Sequence, residues 1–266
     1  MKNLFGFTKE MLEEYFIDMG EKKYKATQVF EWLYRHNEYD ISKFSNIKKE
    51  ILIKMQNDFT TEFINIEKVL EGSDVKKFLF RLLDGEKIEA VLMEHNYGLS
   101  VCVSSQVGCN MGCKFCESGR LKKVRNLESY EIAQQILLIQ KYINKRIDSV
   151  VVMGIGEPFD NYDNIIKFIK IINDSYGLAI GARHITVSTC GLVPKIDEFS
   201  DLNLQVNLAL SLHAATDEVR NKIMPVNKVY NVDTVIAAIK RYIAKTNRRV
   251  TIEYLSLIHI SEPTRH

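Results

Sequence analysis

The sequence predicts an α/β protein: a partial (β/α) barrel, preceded by a small helical N-terminal domain and a short β-hairpin extension. Three observations predict this. Residues 1–62 carry helical periodicity. Residues 63–97 pair apolar runs about an Asp-Gly turn. From residue 98 to 255, apolar strand-like runs alternate with amphipathic helices.

Each element has its own signal. Leu12, Tyr15, Phe16 and Met19 share one helical face over 10–19, and Ala26, Val29, Phe30 and Leu33 share another over 24–35. Gly20 separates the two as a stop, and a third helix is predicted over 47–58. In KKFLFRLLDGEKIEAVLME, Asp84-Gly85 marks a hairpin within two or three antiparallel strands over 64–94. Strands are then predicted at 101–106, 149–153, 184–188, 205–211 and 249–255, with helices at 128–144, 162–175, 193–199 and 231–246. Ile132, Ile136 and Ile139 mark the face of the first helix; Val235, Ile239, Tyr242 and Ile243 mark that of the last. This rhythm is that of a parallel sheet, with a TIM-like partial barrel as one solution. Such folds keep their chemistry at the strand ends. The run SLIHISEPTRH is similar to translated sequencing-adaptor DNA, so residues 256–266 are expected to be a non-native tail on a protein that naturally continues.

Composition excludes several classes. Of 266 residues, 46% are hydrophobic, with 13 Phe and 12 Tyr, which supports a large core rather than disorder. No apolar run reaches the roughly 18–20 residues of a membrane span, and the start has no leader-like apolar region. A cytoplasmic protein without membrane contact is expected. Thirty-six basic and thirty-four acidic residues nearly cancel. Locally, residues 111–150 carry eight basic and four acidic side chains, and residues 217–249 carry eight and three. Either stretch suits phosphate or a solvated helix face. Five cysteines, an odd number, point to reduced thiols rather than a disulfide framework.

Four of the five cysteines fall in CVSSQVGCNMGCKFC, residues 102–116. Cys109, Cys113 and Cys116 form C-x3-C-x2-C and can converge from a loop on one metal centre. No fourth Cys or His lies nearby to complete a structural zinc site. Three thiolates suit a [4Fe–4S] cluster with one iron left open. Gly108 and Gly112 let the backbone wrap closely, and Phe115 can shield the centre.

This spacing resembles that of the radical S-adenosylmethionine superfamily. MGIGEPFDN (153–161), ITVSTCGLVP (185–194) and LALSLHAATDEVRNKIMPVNKVY (208–230) narrow the resemblance to the adenine-C2 RNA methyltransferases, which act on 23S ribosomal RNA and transfer RNA. The resemblance covers residues 1 to about 255. It implies a radical S-adenosylmethionine barrel, one [4Fe–4S] cluster on Cys109, Cys113 and Cys116, and S-adenosyl-L-methionine as second cofactor. It implies cofactor contacts at Gly156, Glu157, Ser188, Ser211, Leu212 and His213. An electron donor such as flavodoxin or ferredoxin follows, and a monomer is expected.

The resemblance also gives the isolated thiol a role. Adenine C2 is not nucleophilic, so the family first moves a methyl group to a cysteine. A radical formed on that methyl adds to C2, a second cysteine resolves the crosslink by disulfide formation, and a base removes the C2 proton. Cys102 matches the resolving thiol, and Glu89, in KIEAV, matches the base. Burial is expected to suit Glu89 to proton transfer, and a hairpin would return it beside Cys102. Arg120, Lys122, Lys123 and Arg125 are placed to meet RNA phosphates. Glu117 and Lys122 depart from the family's usual wording here.

The family's methyl-carrying cysteine has no counterpart in this chain. Cys190, in VSTCG, reads as a core residue, so the chain is expected to bind its cofactors without completing methyl transfer. Two other readings remain. One is the adenine-C8 relatives, which usually carry GEA where Gly156-Glu157-Pro158 stands. The other is a non-catalytic zinc-containing RNA-binding protein. A radical enzyme with a non-RNA substrate fits poorly with SLHA and MPVNK.

Overall fold

The computed structural model describes residues 1–255; the suspected non-native tail lies outside them. The chain divides into two compact units. The first comprises Met1–Val103, Leu127–Ser149 and Asp163–Gly181. The second comprises Ser104–Asn126, Val150–Tyr162 and Ala182 onward.

In the first unit, strand β1 (Lys2–Asn3) pairs in parallel with β2 (Phe59–Thr60), at the two ends of the helical module. Two-residue strands leave no periodic signal, so the sequence did not announce them. Helix α1 (Lys9–Asp18) starts where Thr8 Oγ1 accepts the Met11 N–H, and it buries Leu12 and Phe16. Gly20, at φ +74°, stops it. Helix α2 (Tyr24–Phe30) runs into a single π turn, Glu31–Arg35, where one continuous helix was expected. Helix α3 (Lys49–Asp58) buries Ile51, Leu52 and Met55. Phe5 meets the rings of Tyr34, Tyr39 and Phe63 edge-on at 4.8–5.9 Å and closes this core.

An antiparallel meander follows: β3 (Asn65–Glu71), β4 (Val75–Arg81), β5 (Lys87–His95) and β6 (Gly98–Cys102). Gly85 turns the β4–β5 hairpin at φ +92°, as Asp84-Gly85 predicted. Phe78, Phe80, Ile88, Ala90, Leu92 and Val101 alternate onto the buried face. Helices α4 (Ser129–Ile143) and α5 (Tyr162–Asn173) bury Ile132, Ile136, Ile139 and Ile165, Phe168, Ile169, respectively. At the start of α4 the Glu131 carboxylate accepts the Glu128 N–H at 2.8 Å.

In the second unit, a small ladder joins β7 (Gln106–Val107) to β8 (Arg125–Asn126). The strand predicted over 101–106 therefore breaks after Cys102. At the break, Ser105 N and Gln106 N both turn to the Ile155 carbonyl. Four parallel strands follow: β9 (Ser149–Val152), β10 (Ile185–Thr189), β11 (Asn207–Ser211) and β12 (Val250–Glu253), adjacent in that order. Among the described residues they form an open run and not a closed barrel. Helix α6 (Val193–Asp201) and helix α8 (Val232–Thr246) stack Phe199 on Tyr242, and Arg241 grips Asp197 through two nitrogens. Helix α7 (Asp217–Ile223) had no sequence signal of its own. Its seven residues make two turns, and Pro225 follows close behind.

Asn231 caps α8 by accepting the Thr234 N–H at 2.9 Å. Asn231→Ala should cost about 1 kcal/mol of stability in denaturant unfolding. Asn231→Asp, which keeps the acceptor, should cost much less.

Candidate active site

The cysteine loop leaves β7 and returns on β8. Cys109 N–H donates to the Leu121 carbonyl at 3.0 Å, and Lys123 N–H donates to Asn110 Oδ1 at 3.1 Å. Gly108 sits at φ +73°, and a Cβ there would collide with the Lys122 carbonyl. Its glycine thus serves closure of the loop on itself. Gly119 is likewise required, since a Cβ would stand 2.6 Å from the Cys113 carbonyl. Lys114 N–H donates to the Ile223 carbonyl at 2.9 Å and ties the loop to the end of α7. Cys113 and Phe115 pack on the apolar group Cys190, Ala214, Ile223, Met224 and Val226.

Cys109, Cys113 and Cys116 are half-buried, and no disulfide joins any two of the five cysteines. Burial pushes the Cys109 and Cys113 thiols up, Cys113 to about 12, and the neighbouring thiols add to the effect. The three sulfurs therefore share one electrostatic neighbourhood. Yet among the described residues no three His, Cys, Asp or Glu side chains converge closely enough to hold a single metal ion. Three thiols in one loop suit a cubane, which gives each a different iron. A structural zinc normally takes four protein ligands. The donor set fits the cluster.

The loop after β9 is stitched in place on both sides. Gly156, at φ +109°, lies so close to Gln106 and Ser105 that a Cβ would stand 2.6 Å from Gln106 Cβ. Gln106 is fully buried; it accepts the Glu157 N–H at 2.9 Å and donates to Asn126 Oδ1 and Asp160 Oδ2. The Glu157 carboxylate faces inward. It accepts the N–H of Phe159 at 3.1 Å and of Cys190 at 2.9 Å. Burial raises its pKa, and hydrogen bonds from Cys190, Thr189 and Phe159 offset this only in part. Main chain, rather than carboxylate, is what Gly156 and Glu157 present at this strand end.

Ser188, Ser211 and Glu253 meet across the ends of β10, β11 and β12. Both serine hydroxyls donate to Glu253 Oε2, at 3.0 and 2.6 Å, and they lie 3.1 Å apart. The N–H groups of Leu212 and His213 donate to the Glu253 carbonyl. His213 adopts φ +57° and stands edge-on to Phe115 at 4.8 Å; its Nδ1 accepts the Leu255 N–H. Burial holds its pKa below the usual imidazole range, so it is neutral at pH 7 with its proton on Nε2. Sequence reasoning missed Glu253, although it lies within the predicted strand 249–255 and ends the observed one, where such folds place chemistry.

Of the four basic residues expected to meet phosphate, Lys123 is held by Asp160 at 2.7 Å and Arg125 Nη1 by the Asn126 carbonyl. Lys122 and Arg120 are exposed, Arg120 with Glu117 at 3.5 Å.

Glu89 and Cys102 lie in the first unit, on β5 and at the end of β6. Val91 pairs with Cys102, which puts Glu89 and Cys102 on one face as diagonal neighbours. Glu89 is not buried, contrary to expectation. Its side chain is 41% exposed and 2.7 Å from Lys77 Nζ on β4, because this face of the meander is the open one.

A family model described as Radical SAM superfamily matches residues 103–263. A second, described as Ribosomal RNA large subunit methyltransferase N-terminal domain, matches residues 2–60. The chain is 51% identical to the "Probable dual-specificity RNA methyltransferase RlmN" of Spiroplasma citri over 98% of its own length and 77% of that protein. It is also 51% identical to the protein of that name from Enterococcus faecalis, over 100% of this chain and 76% of the relative. A crystal structure of a radical SAM methyltransferase from Sphaerobacter thermophilus superposes with TM-score 0.86 and 36% identity, covering 96% of this chain and 76% of that one. The chain belongs to the dual-specificity RNA methyltransferase family of radical S-adenosylmethionine enzymes.

Glu157→Gln replaces one acceptor oxygen with a donor facing a backbone N–H. It should lower unfolding stability by about 1–3 kcal/mol, read as a reduced midpoint in denaturant.

Proposed function

We propose that this RNA methyltransferase holds one [4Fe–4S] cluster on Cys109, Cys113 and Cys116 and acts with S-adenosyl-L-methionine at C2 of an adenine in 23S ribosomal RNA and transfer RNA. The observation that carries the reading is that one closed loop carries three half-buried thiols, none in a disulfide. A cluster bound there would supply one-electron chemistry toward S-adenosylmethionine. The backbone of Gly156 and Glu157 would accept from the cofactor's ammonium. Ser188 and Ser211, already oriented by Glu253, would contact its carboxylate or ribose, with Leu212 and His213 beside them. Phe115 would exclude water from the cluster.

On the β5–β6 face, Cys102 would be the thiol that resolves the crosslink in the family's reaction, and Glu89 would accept the C2 proton. The Glu89 carboxylate lies 2.7 Å from Lys77 Nζ on this face. Exposed Arg120 and Lys122 would meet RNA phosphates. A flavodoxin or ferredoxin would supply electrons to a monomeric enzyme in the cytoplasm. No helix among the described residues is long and apolar enough to cross a membrane.

Cysteine ligands must lose their protons to bind iron. With the Cys113 thiol pushed up to about 12, iron uptake by the apoprotein should rise steadily from about pH 6.5 to 8.5. Cys109→Ala, Cys113→Ala and Cys116→Ala should each lose the bound iron, while Cys102→Ala keeps it. Zinc bound in preference to iron during anaerobic reconstitution would refute the reading.

None of the five cysteines remains to carry the methyl group. Three are ligands, Cys102 is the resolving thiol, and Cys190 is 6% exposed with Glu157 against it. The reconstituted 266-residue chain, given methyl-labelled cofactor and substrate RNA, should leave the RNA unlabelled. If label appears, mass spectrometry of the adenosines separates C2 from C8 chemistry.

A further inference from the structure

Arg220, on α7, is among the largest fully buried side chains of the described residues, at 0% exposure. Among the described residues its guanidinium makes no ion pair. Nε donates to the Leu212 carbonyl at 3.1 Å; Nη1 donates to Asn227 Oδ1 at 2.9 Å and the Tyr230 carbonyl at 3.4 Å. Nη2 donates to the carbonyls of Cys190 at 2.6 Å and Ser211 at 3.5 Å. Every partner is neutral. A full positive charge is thus enclosed with its hydrogen bonds satisfied and no carboxylate bonded to it, an arrangement that normally carries a large desolvation cost.

The surroundings show where the missing negative charge belongs. One turn after Arg220, the Ile223 carbonyl receives the Lys114 N–H, between two of the cluster cysteines. Cys113 packs on the apolar group formed by Cys190, Ile223 and Met224. The Arg220 charge acts on the Cys113 and Cys190 sulfurs, and they act on it together with Asp217. Asp217 itself is committed to Asn227 Nδ2 and the Val232 N–H. Three thiolates bring negative charge to a cluster, and the electron added on reduction brings more.

We propose that Arg220 is the built-in counter-charge of the iron–sulfur cluster, a positioning residue that favours the reduced cluster and so raises its reduction potential. The segment DEVRNKIMPVNK then serves as the platform of the cysteine loop, with its arginine held on the Cys190 carbonyl. This inference rests on the cluster reading above, and it touches neither cofactor nor RNA.

The test uses the 266-residue chain, reconstituted anaerobically, with iron and sulfide counted per chain. The potential is read by redox titration of the reduced cluster's paramagnetic signal. Arg220→Lys keeps the charge and loses the fork; Arg220→Gln keeps donors and loses the charge. Asn227→Asp leaves Arg220 in place and sets a carboxylate against its Nη1. Arg220→Gln and Asn227→Asp should each shift the reduction equilibrium at least tenfold toward the oxidised cluster, about 59 mV for one electron, and Arg220→Lys should stay within a few-fold of the parent. A purely structural role predicts instead that Lys disturbs the site as much as Gln does. If Arg220→Gln loses its helical circular dichroism, Asn227→Asp decides. Four irons bound at the parent potential in Asn227→Asp, or in a folded Arg220→Gln, would overturn the inference. A parent chain that takes up no iron would instead refute the cluster reading.

Discussion

The site is built around one constraint: where parallel strands end, backbone groups lose their ladder partners and must find others. The second unit solves this with buried side chains. Gln106 takes the Glu157 N–H, Glu157 takes those of Phe159 and Cys190, and Arg220 takes the carbonyls of Cys190, Leu212, Ser211 and Tyr230. Each loop is therefore fastened to its neighbour by a side chain rather than by another strand. Side-chain fastening fixes loop position while leaving other main-chain atoms of the loops available to ligands, as a strand ladder would not.

This explains which parts of the site were legible in the sequence. Ligand spacing is local, so Cys109, Cys113 and Cys116 announced themselves within eight residues. The hairpin at Asp84-Gly85 is local too, and the next turn, between β5 and β6, brings Glu89 diagonal to Cys102. The exposure of Glu89 was not legible, because it depends on which face of the meander stays open. Gln106, Arg220 and Glu253 were silent for another reason. Their partners lie 7 to 65 residues away, and nothing in a sequence period reports such distances. Glycine shows the same divide. Gly156 and Gly108 were recognisable as special positions, but what they make room for, Gln106 and the Lys122 carbonyl, emerged only from the folded chain.

The fold class followed from alternation because the strands carry near-continuous apolar runs, such as Val150–Val152 and Leu208–Leu210, a composition that buried parallel strands require. The shorter pieces did not follow. Helix α7 and the β7–β8 ladder are held by their surroundings: α7 by Arg220 and the Lys114 N–H, the ladder by Gln106 and Asn126. Elements this short have too little intrinsic preference to form alone, so their existence is a property of the site they serve.

Cys190 shows how tightly the charges of the site are coupled. Its N–H donates to the Glu157 carboxylate and its carbonyl accepts from the Arg220 guanidinium, so one residue's main chain lies between two buried groups of opposite kind. Neither group is paired directly with the other, and burial raises the pKa of the first and lowers that of the second. Both shifts weaken the charged forms in the thiol-only protein. A thiolate-bearing cluster beside Cys113 would favour the charged guanidinium and disfavour the charged carboxylate. The same event would thus strengthen one anchor of Cys190 and weaken the other, which makes the β10 end sensitive to the charge of the cysteine loop. A small side chain at 190 suits that position: a bulkier one would press on Cys113 and Met224, against which this residue is packed.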